Sequence, residues 1–76
     1  MRELIEFLAK SLVDHPDEVQ TRVYERDQQT VVELEVDPAD LGKVIGRQGR
    51  TARAMRNLLT AAGQKSRRRY TLDIID

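Results

Sequence analysis

The sequence predicts a small α+β domain in which one three-stranded sheet carries helices packed on one face. Changes in the spacing of apolar residues support this class. Apolar residues recur at helical spacing up to residue 13. Apolar or β-branched residues then occupy every second position within residues 19–24 and 32–36. Helical spacing returns beyond Gly49, and the last seven residues alternate again. The predicted order is helix, strand, strand, helix, helix, strand (α-β-β-α-α-β).

The first predicted helix occupies the beginning of the chain and is amphipathic. It should end near Asp14, because Pro16 disfavours helical geometry at His15. Phe7 is assigned to the apolar side of this helix, as a core residue rather than a ligand contact. The residues of the predicted apolar stripe are Leu4, Ile5, Leu8, Leu12 and Val13.

Two strands joined by a short connection follow the helix. The stretch Asp27–Gln29 is of hairpin length, which we take as a connection of three to five residues. In the second strand Glu33 and Glu35 alternate with apolar residues and are expected to face solvent. The residues predicted to face one side of the sheet are Val19, Thr21, Val23, Val32, Leu34 and Val36.

Two helices separated by glycines come next. Asp37 is a good N-cap and Pro38 suits the first helical position, so a short helix should run from about Pro38 to Ile45 and stop at Gly46. The second helix should begin around Gly49, continue to about Ala62 and end at Gly63. Its predicted apolar stripe consists of Ala52, Met55, Leu58, Leu59 and Ala62. The alternating segment Tyr70–Asp76, with Leu72 and Ile74 on one side, is the third strand.

The formal net charge of zero conceals a strong division along the chain. Residues 1–40 hold four Lys/Arg and eleven Asp/Glu, a net charge of −7. Residues 41–72 hold nine Lys/Arg and no acid, a net charge of +9. This asymmetry favours a polyanionic partner for the basic part. The alternative at this point is a solvated basic face that pairs with the acidic half.

Composition and motifs argue against several other classes of function. The chain has no cysteine, no apolar run of membrane-spanning length and no signal-peptide pattern, so we expect a soluble cytoplasmic protein. His15 is interpreted as a solvated cap at a helix end rather than a metal ligand. No nucleophile–base arrangement is visible, and the loop after Ile45 lacks the Gly-Lys-Ser/Thr ending of a P-loop. Neither enzymatic activity nor a metal or other cofactor is expected.

The segment Gly46-Arg47-Gln48-Gly49 forms a glycine loop between the two predicted helices. Glycine accepts positive φ and allows another backbone to approach closely. The loop leads into a helix N-terminus, where unpaired N–H groups and the helix dipole favour an anion. The side chains of Lys43, Arg47, Gln48 and Arg50 surround this point with hydrogen-bond donors. The arrangement suits the phosphates of a nucleic-acid backbone.

The stretch VIGRQGRTARAM resembles the (I/V)IGxxG signature of KH domains. The predicted element order is similar to the type II KH arrangement of prokaryotic proteins. The chain as a whole resembles the small bacterial single-KH proteins of the KhpA type. The resemblance extends over essentially all 76 residues, which implies a single KH domain over residues 1–76.

The resemblance implies that this domain binds RNA through a loop that clamps four backbone nucleotides. Val44 and Ile45 match positions that contribute to the floor of the base-binding groove, and Arg50 and Arg53 match its basic edge. Ala52 departs from the family, in which many members carry a larger aliphatic residue, so the width of the groove stays open. Together with the donors named above, the predicted RNA-binding residues are Lys43, Val44, Ile45, Gly46, Arg47, Gln48, Gly49, Arg50 and Arg53.

The KhpA-type resemblance also implies partners and a biological role. It implies single-stranded RNA as ligand, with a homodimer or a complex with a larger KH-containing RNA-binding protein. It further implies an RNA chaperone in post-transcriptional control, associated with cell elongation and envelope homeostasis. The alternative is a KH-like protein-interaction or dimerisation module without direct RNA binding. The basic stretch Lys65–Arg69 either extends the RNA contact or is simply solvated.

Overall fold

The computed structural model of this protein describes residues 1–75. Its order of helices and strands is the predicted one. Asp76, the last residue of the predicted third strand, lies outside the described residues. Single 3-10 turns occupy Pro16–Glu18, Pro38–Asp40 and Arg47–Gly49. The remaining elements are α1 (Arg2–Leu12), β1 (Gln20–Arg26), β2 (Gln29–Glu35), α2 (Leu41–Ile45), α3 (Arg50–Ser66) and β3 (Tyr70–Ile75).

The three strands form one sheet in the order β1-β2-β3. β1 pairs with β2 in antiparallel register, with Val23 opposite Val32. β2 pairs with β3 in parallel register, with Val32 opposite Leu72. A parallel pair requires a long crossover, and here α2 and α3 supply it. The sheet and the element order agree with the α+β, type II KH arrangement expected from the sequence.

The core lies between one face of this sheet and the helices. β2 contributes its central residues, Val32 and Leu34, both fully buried. This agrees with the predicted alternation of that strand. The buried core cluster is Ile5, Ala9, Val19, Val32, Leu34, Val36, Val44, Met55, Leu59 and Leu72.

The prediction for Phe7 is wrong, because this side chain is 67% exposed. α1 packs on the sheet through Ile5 and Ala9, which are one turn apart and fully buried. Phe7 lies two residues from each, about 200° around the helix axis, and therefore points to solvent. The apolar pattern of α1 is thus wider than the face that the sheet covers.

Val23 was expected to face the core, and it is 44% exposed. It lies opposite Val32 on the side of the sheet that carries the helices, but β1 is an edge strand. α1 covers the beginning of β1, where Thr21 Oγ1 donates a hydrogen bond of 3.0 Å to Glu6 Oε2. Val23 lies farther along the strand, where it lines an open depression together with Met1 and the first residues of α1, Arg2 and Glu3.

The hairpin between β1 and β2 is tighter than predicted. Asp27 and Gln28 have φ values of 51° and 64°, and Gln29 already belongs to β2. Positive φ at both central residues defines a two-residue type I′ turn, whose twist matches that of the flanking strands. The connection therefore has two residues rather than three to five.

The prediction that Gly63 ends the second long helix is wrong, because α3 continues to Ser66. The residue that terminates the helix is Arg67, with a left-handed φ of 56°. Arg68 N–H then donates to the Gly63 carbonyl at 2.7 Å. A Cβ at position 63 would collide with the carbonyl of Arg68. Gly63 thus allows the returning chain to approach the helix and does not break it.

The apolar stripe of α3 also differs from the prediction, because Leu58 is exposed and Ala62 is only half-buried. Leu58 is 47% exposed, whereas Leu59 is fully buried. The buried face follows the spacing of three and four residues, and Leu58 lies about 100° to one side of it. The residues that form this buried face are Ala52, Met55, Leu59 and Gly63.

Candidate nucleic-acid interface

The glycine loop connects α2 to α3 through three residues with positive φ. Gly46 has φ 79° and ψ 169°, a conformation available essentially to glycine alone. Gln48 and Gly49 follow in left-handed conformations, with φ values of 56° and 74°. Gly49 N–H donates to the Gly46 carbonyl at 3.0 Å and closes the turn. Both glycines of the loop thus adopt the positive φ that glycine accepts at low cost.

The two glycines of the loop have different neighbours. A Cβ on Gly46 would collide with the side chain and the backbone nitrogen of Thr51 in the first turn of α3. A Cβ on Gly49 would meet nothing within 4 Å. Gly46 is therefore required by close packing as well as by its dihedral angles, whereas Gly49 lies beside open space that a ligand can enter.

The positive side chains around the loop are exposed and uncompensated. Within residues 1–75, no carboxylate oxygen lies within 4.0 Å of a guanidinium nitrogen of Arg47, Arg50 or Arg53. Arg50 Nη2 lies 3.4 Å from Gln48 Oε1, which is a long hydrogen bond to a neutral group. No side chain caps the N-terminus of α3, and its first turn holds no acid. The dipole and the three arginines therefore act in the same direction, towards binding an anion.

Lys43 differs from these arginines because the chain itself supplies its counter-ions. Its Nζ lies 2.9 Å from Asp14 Oδ2 and 3.6 Å from Asp40 Oδ1. The hydrogen bond with Asp14 is the main reason that the pKa of Lys43 is raised. Lys43 thus ties α2 to the segment after α1. Its predicted contact with RNA stays a prediction, and such a contact has to compete with Asp14.

The two aliphatic residues before the loop point in different directions. Val44 is fully buried in the core, and Ile45 is 36% exposed. Ile45 shares one face of α2 with Leu41, one turn earlier. Leu41 in turn lines a depression of about 130 Å³ together with Val36 and Ile75. Ile45 is therefore available for apolar contact, whereas Val44 fixes α2 in place.

Ala52, which departs from the family pattern, belongs to the buried face of α3 and is 3% exposed. It lies one residue beyond Thr51, whose side chain closes over Gly46. The small side chain is thus accommodated within the packing beneath the glycine loop rather than at the surface.

A buried carboxylate anchors the start of α2, and no sequence motif indicated it. Asp40 is 1% exposed, and its Oδ2 accepts hydrogen bonds from His15 N–H at 3.0 Å and from His15 Nδ1 at 2.9 Å. His15 was expected to be a solvated helix cap. Instead it binds a residue 25 positions away, although its side chain is still about half exposed. We call Asp14, His15, Asp40 and Lys43 the anchor cluster.

Contacts within the anchor cluster shift the pKa values of Asp40 and His15. Burial raises the pKa of Asp40, but the hydrogen bonds from His15 outweigh this effect and the pKa is lowered from 3.8. The same hydrogen bond raises the pKa of His15 above 6.5. Both shifts favour an ionised pair between the segment after α1 and the start of α2. The nearby Asp37 is not part of this pair; its Oδ1 accepts from Ala39 N–H at 2.8 Å, which confirms the predicted N-cap.

The described residues contain neither a candidate metal site nor a candidate membrane span. Among residues 1–75, no group of three or more His, Cys, Asp or Glu side chains is placed to hold a metal ion. In the same part of the chain, each helix is too short or too polar to cross a membrane. The exposed, uncompensated arginines of the glycine loop are thus the feature that best defines a ligand site.

Comparison with known proteins places the chain in a family. A family model described as KhpA/KhpB, KH domain, matches residues 2–74. A protein of Borreliella burgdorferi named RNA-binding protein KhpA is 54% identical over 74 residues, which cover 97% of this chain and 90% of that protein. Its namesake in Halalkalibacterium halodurans is 50% identical over 76 residues and the full length of both chains. In Bacillus subtilis the namesake is 42% identical over 76 residues, which cover 94% of that protein. No solved structure matches the chain.

Proposed function

Because this chain belongs to the KhpA/KhpB family of KH domains, we propose that it binds single-stranded RNA through the glycine loop. Family membership confirms the resemblance that the sequence suggested. The similar proteins are named as RNA-binding proteins and not as enzymes. This agrees with the expectation from the sequence that the chain is not an enzyme. The observation that carries the proposal is the combination of a positive-φ glycine loop with uncompensated arginines at the N-terminus of α3.

The RNA backbone is proposed to cross the loop beside Gly49, where the space around the Cα atom is open. About four nucleotides fit the clamp of a KH domain. Arg47 and Arg50 then approach the phosphates from either side, and Gln48 supplies an amide donor. Because guanidinium groups bind phosphate in bidentate fashion, exposed and unpaired arginines suit this role.

The bases are proposed to lie over the exposed aliphatic surface next to the loop. Ile45 and Leu41 present one face of α2, and Ile75 is 38% exposed at the end of β3. Val44 supports this surface from the core without contacting solvent. Arg53, one turn along α3 from Arg50, is proposed to lie at the edge of this apolar surface, where the RNA strand leaves the glycine loop. The order of these contacts gives an apolar floor with a basic rim.

We further propose the finer role that the family resemblance implies. One site of about four nucleotides binds weakly, so useful affinity requires several linked sites. A homodimer, or a complex with a larger KH-containing RNA-binding protein, provides them. Exposed Leu58, flanked on α3 by Ala54 and Ala61, offers an apolar contact for such a partner. The role is that of a cytoplasmic RNA chaperone in post-transcriptional control, connected with cell elongation and envelope homeostasis.

The decisive test replaces the two exposed loop residues while leaving both glycines. The double variant Arg47→Asp with Gln48→Asp puts two negative charges where the phosphates should lie. We expect RNA cross-linking and gel-shift activity to be lost, with an unchanged circular dichroism spectrum. The matched control is Arg22→Asp with Gln20→Asp, which changes the same residue types on exposed positions of β1.

Retention of wild-type RNA binding by the folded loop variant contradicts the proposal. That result favours the alternative, a protein-interaction module in which the glycine loop and the arginine-bearing face of α3 bind a protein. Equal loss in the β1 control also contradicts it, because the effect then follows net charge rather than the glycine loop. A sizing column on both variants shows whether the loop contributes to dimerisation as well.

A further inference from the structure

The turn between α3 and β3 carries three consecutive arginines, Arg67–Arg69, which we call the basic corner. All three side chains are exposed. Within residues 1–75, none of them has a carboxylate oxygen within 4.0 Å, and none donates a side-chain hydrogen bond. Three adjacent positive charges without counter-ions repel one another. This repulsion opposes the favourable interaction of cations with the C-terminal end of the α3 dipole, so the fold gains little from placing all three here.

The backbone of the basic corner is held on both sides. Arg68 N–H donates to the Gly63 carbonyl at 2.7 Å, and Thr30 N–H donates to the Arg69 carbonyl at 2.7 Å. Arg67 N–H additionally closes the helix end on the Gln64 carbonyl at 3.4 Å. Main-chain bonds thus already cap the C-terminus of α3, so the guanidinium groups are not needed for capping. They project from a fixed backbone towards solvent.

The basic corner borders an open depression of about 470 Å³. The other residues that line it are Glu25, Gln28 and Thr30, near the β1–β2 hairpin. Glu25 is the single acid among the lining residues, so the local charge is positive. An open, polar and positively charged depression suits a chain of phosphates better than a small apolar ligand.

One flank of α3 connects the glycine loop with this corner. Polar residues recur on it at spacings of three or four, and α3 contains no acid. All of them are exposed. At 1.5 Å per residue the 17 residues of α3 span about 25 Å, which separates the two basic groups. The residues of this flank are Arg50, Arg53, Asn57, Thr60 and Gln64.

We propose that the RNA strand leaving the glycine loop continues along this flank of α3 and that the basic corner binds its phosphates as a second site. The footprint then exceeds the roughly four nucleotides of the loop itself. The inference rests on the proposed function, because it takes the same RNA strand as ligand. Arginine rather than lysine at all three positions suits bidentate phosphate contacts.

The test compares two RNA lengths in one protein. The variant Arg67→Gln/Arg68→Gln/Arg69→Gln and wild type are titrated with single-stranded RNA of about 4 and about 16 nucleotides at two salt concentrations. We expect affinity for the long RNA to fall about tenfold or more. The slope of log affinity against log salt should decrease by about 2, since three phosphate contacts are lost. Affinity for the short RNA should change less than about twofold.

The matched control changes three exposed cations of the acidic half, Lys10→Gln/Arg22→Gln/Arg26→Gln, with the same loss of charge. The second site is overturned if the basic-corner variant keeps its affinity for the long RNA. It is also overturned if affinity falls equally for both RNA lengths, or if the control variant loses as much affinity for the long RNA. Loss of binding to poly-glutamate with RNA affinity intact also overturns it, in favour of an acidic protein partner. Failure of the proposed function gives a different result. In that case the glycine-loop variant Arg47→Asp/Gln48→Asp keeps its affinity for the short RNA.

Discussion

The cations on the two sides of Gly46 have different surroundings, although the formal charges of the whole chain cancel. Before Gly46, three of the five Lys/Arg side chains, Lys10, Arg22 and Lys43, lie within 4.0 Å of a carboxylate oxygen. After Gly46, none does so within the described residues. The uncompensated cations are Arg47, Arg50, Arg53, Arg56, Lys65, Arg67, Arg68 and Arg69.

This difference shows how one small domain separates its two uses of charge. The anchor cluster joins two segments of the chain through a buried carboxylate, and its charges are compensated within the protein. The arginines after Gly46 contribute little to the fold, because exposed side chains of one sign have nothing to pair with. They are available for a polyanion, which supplies the missing negative charge.

The largest effect is expected at Gly46 itself, which separates the two regions. Gly46→Ala should cost about 3 kcal/mol, because it combines a glycine-only backbone conformation with a collision against Thr51. Gly49→Ala should cost about 1 kcal/mol, since only the left-handed φ opposes it. Urea denaturation of both variants measures the difference. Equal losses contradict the distinct surroundings of the two glycines.

A smaller effect should distinguish a compensated from an uncompensated cation. Arg47→Gln should lower RNA affinity several-fold and reduce the salt slope by about 0.7, the value for one phosphate contact on a single strand. Lys43→Gln should lower the affinity by no more than about twofold, because Asp14 already neutralises Lys43. Fluorescence anisotropy at two salt concentrations measures both. A larger loss for Lys43→Gln reverses the comparison and makes Lys43 the principal phosphate contact.

The smallest expected effect is the pH dependence of the anchor cluster. The raised pKa of His15 means that its contribution to stability is complete below 6.5 and is lost as the pH rises through the higher folded value. The lowered pKa of Asp40 means that its contribution is present above 3.8 and is lost as the pH falls through the lower folded value. The pair should therefore stabilise most between these limits.

The measurement is Tm as a function of pH for wild type and His15→Gln. Wild type should lose more Tm than the variant between about pH 6 and pH 8, and the difference should be small because His15 is half exposed. If the two curves of Tm against pH run parallel, the ionised pair of His15 and Asp40 does not contribute to stability.

The sequence predicted those features that depend on local signals. The order of helices and strands followed from the period of the apolar residues, and the Asp37 cap followed from its position before Pro38. The glycine loop could be located because the ability to adopt positive φ at low cost is a property of glycine itself. Each of these required only neighbours a few positions away.

Features that depend on contacts between distant segments could not be predicted in this way. Gly63 has the sequence appearance of a helix stop, but its role is set by the carbonyl of Arg68 after the chain has turned back. The exposure of Phe7 depends on how α1 rotates onto the sheet. Asp40 and His15 are 25 positions apart, and only the folded chain brings them together. The pairing of Lys43 with Asp14, 29 positions apart, has the same origin.

The parallel pairing of β2 with β3 has a consequence for how the domain is made. Thr30 lies opposite Tyr70, so the strand that completes the sheet is synthesised after both helices and the loop between them. Contacts between such distant residues form slowly, because the intervening chain must first be closed. On a ribosome, α3 therefore emerges before β3, one of the elements against which it packs. The framework that orients the glycine loop is complete only when Tyr70–Ile75 has emerged and docked.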